Sequence, residues 1–210
     1  MADIPDWYDD LDGTLRHALG ELSAAVSDRG HGFRTFTVAS VDANGEPSAR
    51  VVVLRAFDRD SWQLRFHTDG RSRKVSEFAE NGRVSLVFYD KGRKLQIRLG
   101  GRAEVHKIDP SDKNGLAAEA FTASLPMSRE CYRIEPGPGT VLGAPDGYRH
   151  ADVSQHKNGD IAADPGASHF AAVVVAFETA EVLYLASEGH RRSRFRDVGN
   201  GIHEGVWLTP

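Results

Sequence analysis

Short runs of strand-forming residues, each closed by turn chemistry, recur along this chain and leave little room for anything but an antiparallel sheet. Arg34 to Val41 alternates through Phe36, Val38 and Val41, and Asp42-Ala43-Asn44-Gly45 turns the chain back through Pro47 to Ala56. Asp58-Arg59-Asp60-Ser61 then leads into Trp62 to Thr68. Arg83 to Tyr89 and a long run from Arg93 to Ile108 meet at Asp90-Lys91-Gly92, and Gly100-Gly101 breaks the alternation of the long run as a bulge or barrel corner would. Near the end, Phe170 to Phe177, Glu181 to Ala186, Arg194 to Val198 and Ile202 to Leu208 read as further strands, the last two joined by Gly199-Asn200-Gly201. Helical spacing is confined to Trp7 to Ser27, Arg71 to Asn81 and a segment from Asp109-Pro110-Ser111-Asp112 to about Ser124. The expectation is a mainly β chain, an antiparallel barrel with flanking helices. Residues 135–169 are rich in Gly, Pro, Asp and His without periodicity, and are expected to be a lid, an arm over a partner subunit or a disordered stretch.

A length of 210 residues suits a single domain spanning 1–210, able to bury a core without disulfide or metal staples. Cys131 is the only cysteine, which forbids an internal disulfide and suits a reducing compartment. The start, Met1-Ala2-Asp3-Ile4-Pro5-Asp6, is acidic where a secretory signal is basic, and no apolar run approaches membrane-spanning length. The expected location is cytoplasmic, with no membrane partner. A net charge of -4 also argues against a nucleic-acid partner.

Against that acidic balance, cations gather between Arg50 and Lys74. Arg50-Val51-Val52-Val53-Leu54-Arg55 carries a cation at each end of an apolar run, and Arg71-Ser72-Arg73-Lys74 opens the second helix. Helix N-terminal amides with fixed cations favour an anion, so the stretch suits a phosphate. Other motifs lead nowhere. Gly137 to Gly143 has the wrong spacing for a dinucleotide loop and no strand before it; the histidines give no metal-ligand pair at helical spacing; there is no Gly-x-Ser-x-Gly elbow. The apolar side chains of Val51, Val53, Val87 and Ile97 are assigned to the core.

Four landmarks, in order, resemble the pyridoxamine 5'-phosphate oxidase-related family of flavin mononucleotide (FMN) proteins, whose fold is an FMN-binding split barrel of antiparallel Greek-key type. They are Arg50 to Arg55; His67-Thr68; Ser72-Arg73-Lys74; and Gln96, which opens Gln96-Ile97-Arg98-Leu99-Gly100-Gly101-Arg102-Ala103-Glu104. The resemblance implies FMN as cofactor, with Arg50, Arg73 and Lys74 on its phosphate and Arg55, Thr68 and Ser72 adding contacts. It sets Val51, Val52, Val53, Leu54 and His67 along the cofactor and Gln96 on the polar edge of the ring. Tyr184 stands where the family has an aromatic residue by the flavin, and Arg194 where it has a flavin-contacting arginine. It also implies a homodimer with FMN at the interface and an oxidoreductase acting on a small-molecule substrate by hydride transfer. A non-catalytic flavin or stress-sensing module, or a barrel binding the deazaflavin coenzyme F420 or haem, is the alternative. Vitamin B6 oxidases of the family hold the substrate phosphate with tyrosine, arginine and serine in the segment matching Phe121 to Arg129. Here the expected arginine aligns with Leu125, and His190-Arg191-Arg192-Ser193-Arg194 also departs from the family run. The resemblance therefore implies a flavin protein that is not a vitamin B6 oxidase.

Overall fold

The computed structural model describes residues 4–109, 115–152, 161–199 and 203–210. Helix α1 spans Leu11–Ser27, starting four residues later than the periodicity from Trp7 predicts. Asp10 sets the boundary by capping, its carboxylate accepting from the Asp12 N–H at 3.1 Å. Strands β1 (Thr35–Val41), β2 (Pro47–Asp58) and β3 (Gln63–Asp69) form consecutive hairpins, and α2 (Arg73–Glu80) follows. Then come β4 (Arg83–Asp90), β5 (Leu95–Lys107), α3 (Leu116–Thr122), α4 (Pro126–Arg129), and a two-stranded pairing of β6 (Ile134–Glu135) with β7 (Arg149–His150). The chain ends with β8 (Phe170–Tyr184), β9 (Arg191–Asp197) and β10 (His203–Leu208). The start predicted for the third helix at Asp109-Pro110-Ser111-Asp112, and the turn residues Asn200 and Gly201, fall largely outside the described residues.

The sheet runs β10-β9-β8-β3-β2-β1-β4-β5, and β5 pairs again with β8 to close six antiparallel strands into a barrel. The order β3-β2-β1-β4 is a Greek key, because β4 returns beside β1 after two hairpins. Sequence spacing splits residues 170–186 into two strands, whereas the structure has one. Its first half pairs with β3 and its second with β9, so the polar Glu178-Thr179 marks a change of neighbour and not a break. The register shift that accommodates this lies opposite, between Gly100 and Gly101. A Cβ on Gly101 would collide with the Ala176 carbonyl, which is why the corner requires glycine.

Phe36, Phe66 and Phe88 pack inside, with Phe36 stacked on Phe88 at 4.5 Å between ring centroids, and α1 lays Leu15, Leu19 and Leu22 onto the same core. Alternation corrects one expectation. Thr37 pairs with both Val51 and Val87, and Val51 is 67% exposed. Val52 and Leu54 take the inward positions while Val51, Val53 and Val87 lie on the outer face; only Ile97 of the four assigned to the core belongs there. A run of consecutive apolar residues carries no parity of its own, so pairing decides which half is buried.

A second, smaller apolar cluster packs Phe121 of α3, Tyr132 and Phe170 over the outer face of β3 and β8. The described parts of 135–169 are tied to this side. Arg133 forms two hydrogen bonds to Asp164, at 3.0 and 2.7 Å, and Arg71 reaches Glu135 at 2.9 Å.

Candidate functional site

The Ser72-Arg73-Lys74 stretch is where β3 ends and α2 begins, with Ser72 as N-cap residue. Lys74 turns back over that junction, donating from Nζ to Thr68 Oγ1 at 3.0 Å and Ser72 Oγ at 3.1 Å. Ser72 Oγ in turn donates to the Asp69 carbonyl at 2.6 Å. Burial, and next the nearby charge of Arg50, lower the pKa of Lys74, with Asp69 and Glu77 acting in the opposite sense. An ammonium held by hydroxyls has donors and charge to spare for an incoming oxyanion. Arg71, by contrast, is committed: it donates to both oxygens of Asp69, to Glu135 and to the Ile134 carbonyl.

Arg50 and Arg73 converge on Glu77, a residue the sequence reading did not single out. Glu77 lies on the buried face of α2 with Val75 and Phe78. Its Oε2 accepts from Ser40 Oγ at 2.5 Å and from Arg50 Nη2 at 2.7 Å, while Oε1 lies 3.2 Å from Arg73 Nε. Arg50 also donates to Ser40 at 2.6 Å and Ser48 at 2.7 Å. Burial alone would raise the Glu77 pKa, but these hydrogen bonds and the two guanidinium charges hold it below the ordinary carboxylate range. Arg73, 68% exposed, completes the clamp by pairing with Asp42 in the β1–β2 turn. Of the three expected phosphate ligands, Lys74 is thus poised without a bonded carboxylate, whereas Arg50 and Arg73 are held at its flank by acids.

On the outer face of the β2–β3 hairpin the situation reverses. Arg55 occupies the register shift between Leu54 and Ala56, and Arg65 and His67 share the outward side of β3. Arg55 Nε, Arg65 Nε and His67 Nε2 are buried without a hydrogen-bond partner. Burial, then the charges of Arg65 and Arg55, push the His67 pKa down to about 3, so its imidazole is neutral. The ring packs edge-on against Phe170 at 4.9 Å. Buried polar atoms of native proteins nearly always have partners, so three orphans on one face mark a place for a ligand.

Gln96, Tyr184 and Arg194 do not join this group. Gln96 and Arg194 lie on the outer face across β8, where Arg98 pairs with Glu181 and Glu181 with Arg194. On the closed wall β1 and β4 separate Gln96 from β2, and β8 and β3 separate Arg194 from it. Tyr184 pairs with Leu95, whose side chain is inside, and sits against Trp7 and Tyr8 at 4.9 and 6.0 Å. Leu183, not Tyr184, shares the face of Gln96. The landmarks therefore form a Lys74 and Arg55 half and a separate Gln96 and Arg194 half.

Residues 16–107 match the family model described as pyridoxamine 5'-phosphate oxidase, FMN-binding domain. Over that stretch the chain is similar to the FMN-binding domain of the pyridoxamine 5'-phosphate oxidases. It is 27% identical over 175 residues to pyridoxine/pyridoxamine 5'-phosphate oxidase 2 of Arabidopsis thaliana, covering 82% of this chain and 83% of that one. With the pyridoxine/pyridoxamine 5'-phosphate oxidase of Bordetella avium it is 35% identical over 102 residues, which span 45% of this chain and 48% of that enzyme. Two solved structures share its fold. A pyridoxamine 5'-phosphate oxidase-related, FMN-binding protein from Nostoc punctiforme matches with a TM-score of 0.71 at 19% identity, over 99% of this chain and all of the other. PhzG from Burkholderia lata, solved with tetrahydrophenazine-1-carboxylic acid, matches at 0.64 and 21% identity, over 100% and 99%. No helix among the described residues is long and apolar enough to cross a membrane.

Proposed function

We propose that this chain binds FMN and works as a flavin-dependent oxidoreductase on a small molecule. The observation that carries this is the set of unspent donors at one end of the β2–β3 hairpin: the hydroxyl-held Lys74 and the orphaned nitrogens of Arg55 and His67. They fit a ligand with an anionic end and a polar aromatic ring, as FMN has. Lys74, Thr68, Ser72 and Arg73 would hold the phosphate, with Arg50 behind them; Arg55 and His67 would border the ring. Bound FMN supplies two-electron redox chemistry, and this chain's residues bind it, orient it and shape the space beside it.

A second copy of the chain belongs to this reading. A convex wall cannot enclose one cofactor with both Lys74 and Gln96, whereas two walls facing each other can, one copy giving the Lys74 half and the other Gln96 and Arg194. The outer face of β2 and β4 offers Val51 and Tyr89, 67% and 52% exposed, for such contact. The substrate differs from a vitamin B6 phosphate. Phe121 is buried, Leu125 is apolar, and Arg129 is spent on the carbonyls of Thr122 at 2.6 Å and Ser124 at 3.1 Å.

The visible spectrum of the purified protein, with FMN titrated in and NADH or NADPH then added without oxygen, tests this. Flavin bands that bleach support an oxidoreductase. Bands that persist with every donor would reduce the chain to a flavin carrier or sensor, and no flavin binding would remove the proposal.

A further inference from the structure

Arg65, the third orphaned donor on the outer face of the hairpin, is not among the residues assigned to FMN. It stands two residues before His67 on the same face of β3, paired in register with Ala56 beside Arg55, under the α3 and Tyr132 side of the barrel. Its Nε is buried without a partner, and among the described residues no carboxylate lies within ion-pair distance of it or of Arg55. The negative charge that faces it is Glu119 on α3. Asp69, the next acid along β3, is spent on Arg71.

Charge decides what such a place can take. The guanidinium groups of Arg65 and Arg55, with Arg34 near Arg55, outnumber the one carboxylate, Glu119, and the His67 beside them is neutral. Burial also pulls down the pKa of Arg65 itself, the mark of a cation short of solvent and counter-charge. Positive charge is left over. An anion neutralises it, and a carboxylate meets less repulsion from Glu119 than a phosphate dianion does. The planar donor fork of a guanidinium matches a carboxylate's two oxygens. The aromatic cluster of Phe170, Phe121 and Tyr132 packs beside it, with Phe170 edge-on to His67.

We propose that Arg65, with Arg55, forms the subsite for the carboxylate of the substrate, and that the protein acts on a small aromatic or unsaturated carboxylic acid. This rests on the flavin reading for the chemistry but not for the binding. Arg65 is then a specificity-determining residue and Glu119 opposes it.

Benzoate is the probe, with benzamide as its neutral isostere and phenyl phosphate as its dianionic counterpart. Each is titrated by calorimetry into the FMN-treated protein and into the flavin-free chain, and FMN affinity is measured separately. Benzoate should bind and benzamide should bind at least tenfold more weakly. Arg65→Gln should weaken benzoate by roughly ten- to a hundredfold, the worth of one charge-assisted hydrogen bond, and leave FMN affinity unchanged. Glu119→Gln should strengthen benzoate, a gain that a merely structural loss here would not produce. Equal binding of benzoate and benzamide, tighter binding of phenyl phosphate than of benzoate, or indifference of benzoate to Arg65→Gln would each overturn the proposal. Should wild type refuse FMN yet bind benzoate through Arg65, the flavin reading falls and the carboxylate subsite stands.

Discussion

Replacing Glu77 with glutamine keeps the side chain's shape and deletes the charge on which Arg50, Arg73 and Ser40 converge. Arg50 is the partner that matters. Its side chain is 19% exposed and its bond to Glu77 is 2.7 Å long, so it is a buried charge-assisted hydrogen bond of about 1.5–3 kcal/mol. Arg73, mostly in solvent, adds ~0–1 kcal/mol. Relief from burying a carboxylate offsets part of this, leaving a loss of about 2 kcal/mol at neutral pH. For a chain of this size that lowers Tm by roughly 4–8 °C. The pH dependence identifies the cause. Because the folded pKa of Glu77 is depressed, its stabilisation is fully present above the unfolded carboxylate range, about 4.3, and fades as pH falls through the lower folded value. Urea unfolding of wild type and Glu77→Gln from neutral to acid pH should show a gap that closes in acid, where the wild-type carboxyl is itself protonated. A gap absent at pH ~7, or undiminished below pH ~3, would refute the hub.

Gly101→Ala should cost at least about 3 kcal/mol in denaturant unfolding, since the added methyl meets backbone that β5–β8 pairing holds in place; a variant within ~0.5 kcal/mol of wild type would show that the corner can shift. His67, kept neutral in the fold, binds its proton only near pH 3, while the unfolded chain binds it near ~6.5. Stability should therefore fall as pH drops through that window, by up to about 1.4 kcal/mol per pH unit, and His67→Gln should flatten the slope. An unchanged acid slope would mean that His67 titrates normally.

Much of the barrel was legible because its signals are local. Asp42 to Gly45 turns the first hairpin through an Asx arrangement, its Asp42 Oδ1 accepting from the N–H groups of Asn44 and Glu46, both at 2.9 Å. Gly100-Gly101 marks the corner, and Ser72-Arg73-Lys74 lies where a strand meets a helix. What stayed hidden depends on distant partners. Glu77 meets Ser40 from 37 positions away, and nothing near it in sequence announces a buried acid. The inward half of Val51 to Leu54 is chosen by pairing with β1, and the fate of Tyr184 by Leu95 across β5 and by Trp7 against its ring. Nothing in an alternating strand marks Arg65 out, and only the folded structure shows its buried Nε to be without a partner.

The most direct test of the cofactor site is equilibrium titration of FMN, followed by flavin fluorescence, into wild type and into the Arg73→Ala, Lys74→Ala double variant. Wild type should bind, and the double variant should lose FMN retention while keeping its circular dichroism and remaining cooperatively folded. A double variant that holds FMN as tightly as wild type would contradict the placement of the phosphate at the start of α2, and with it the account given for the barrel's cations.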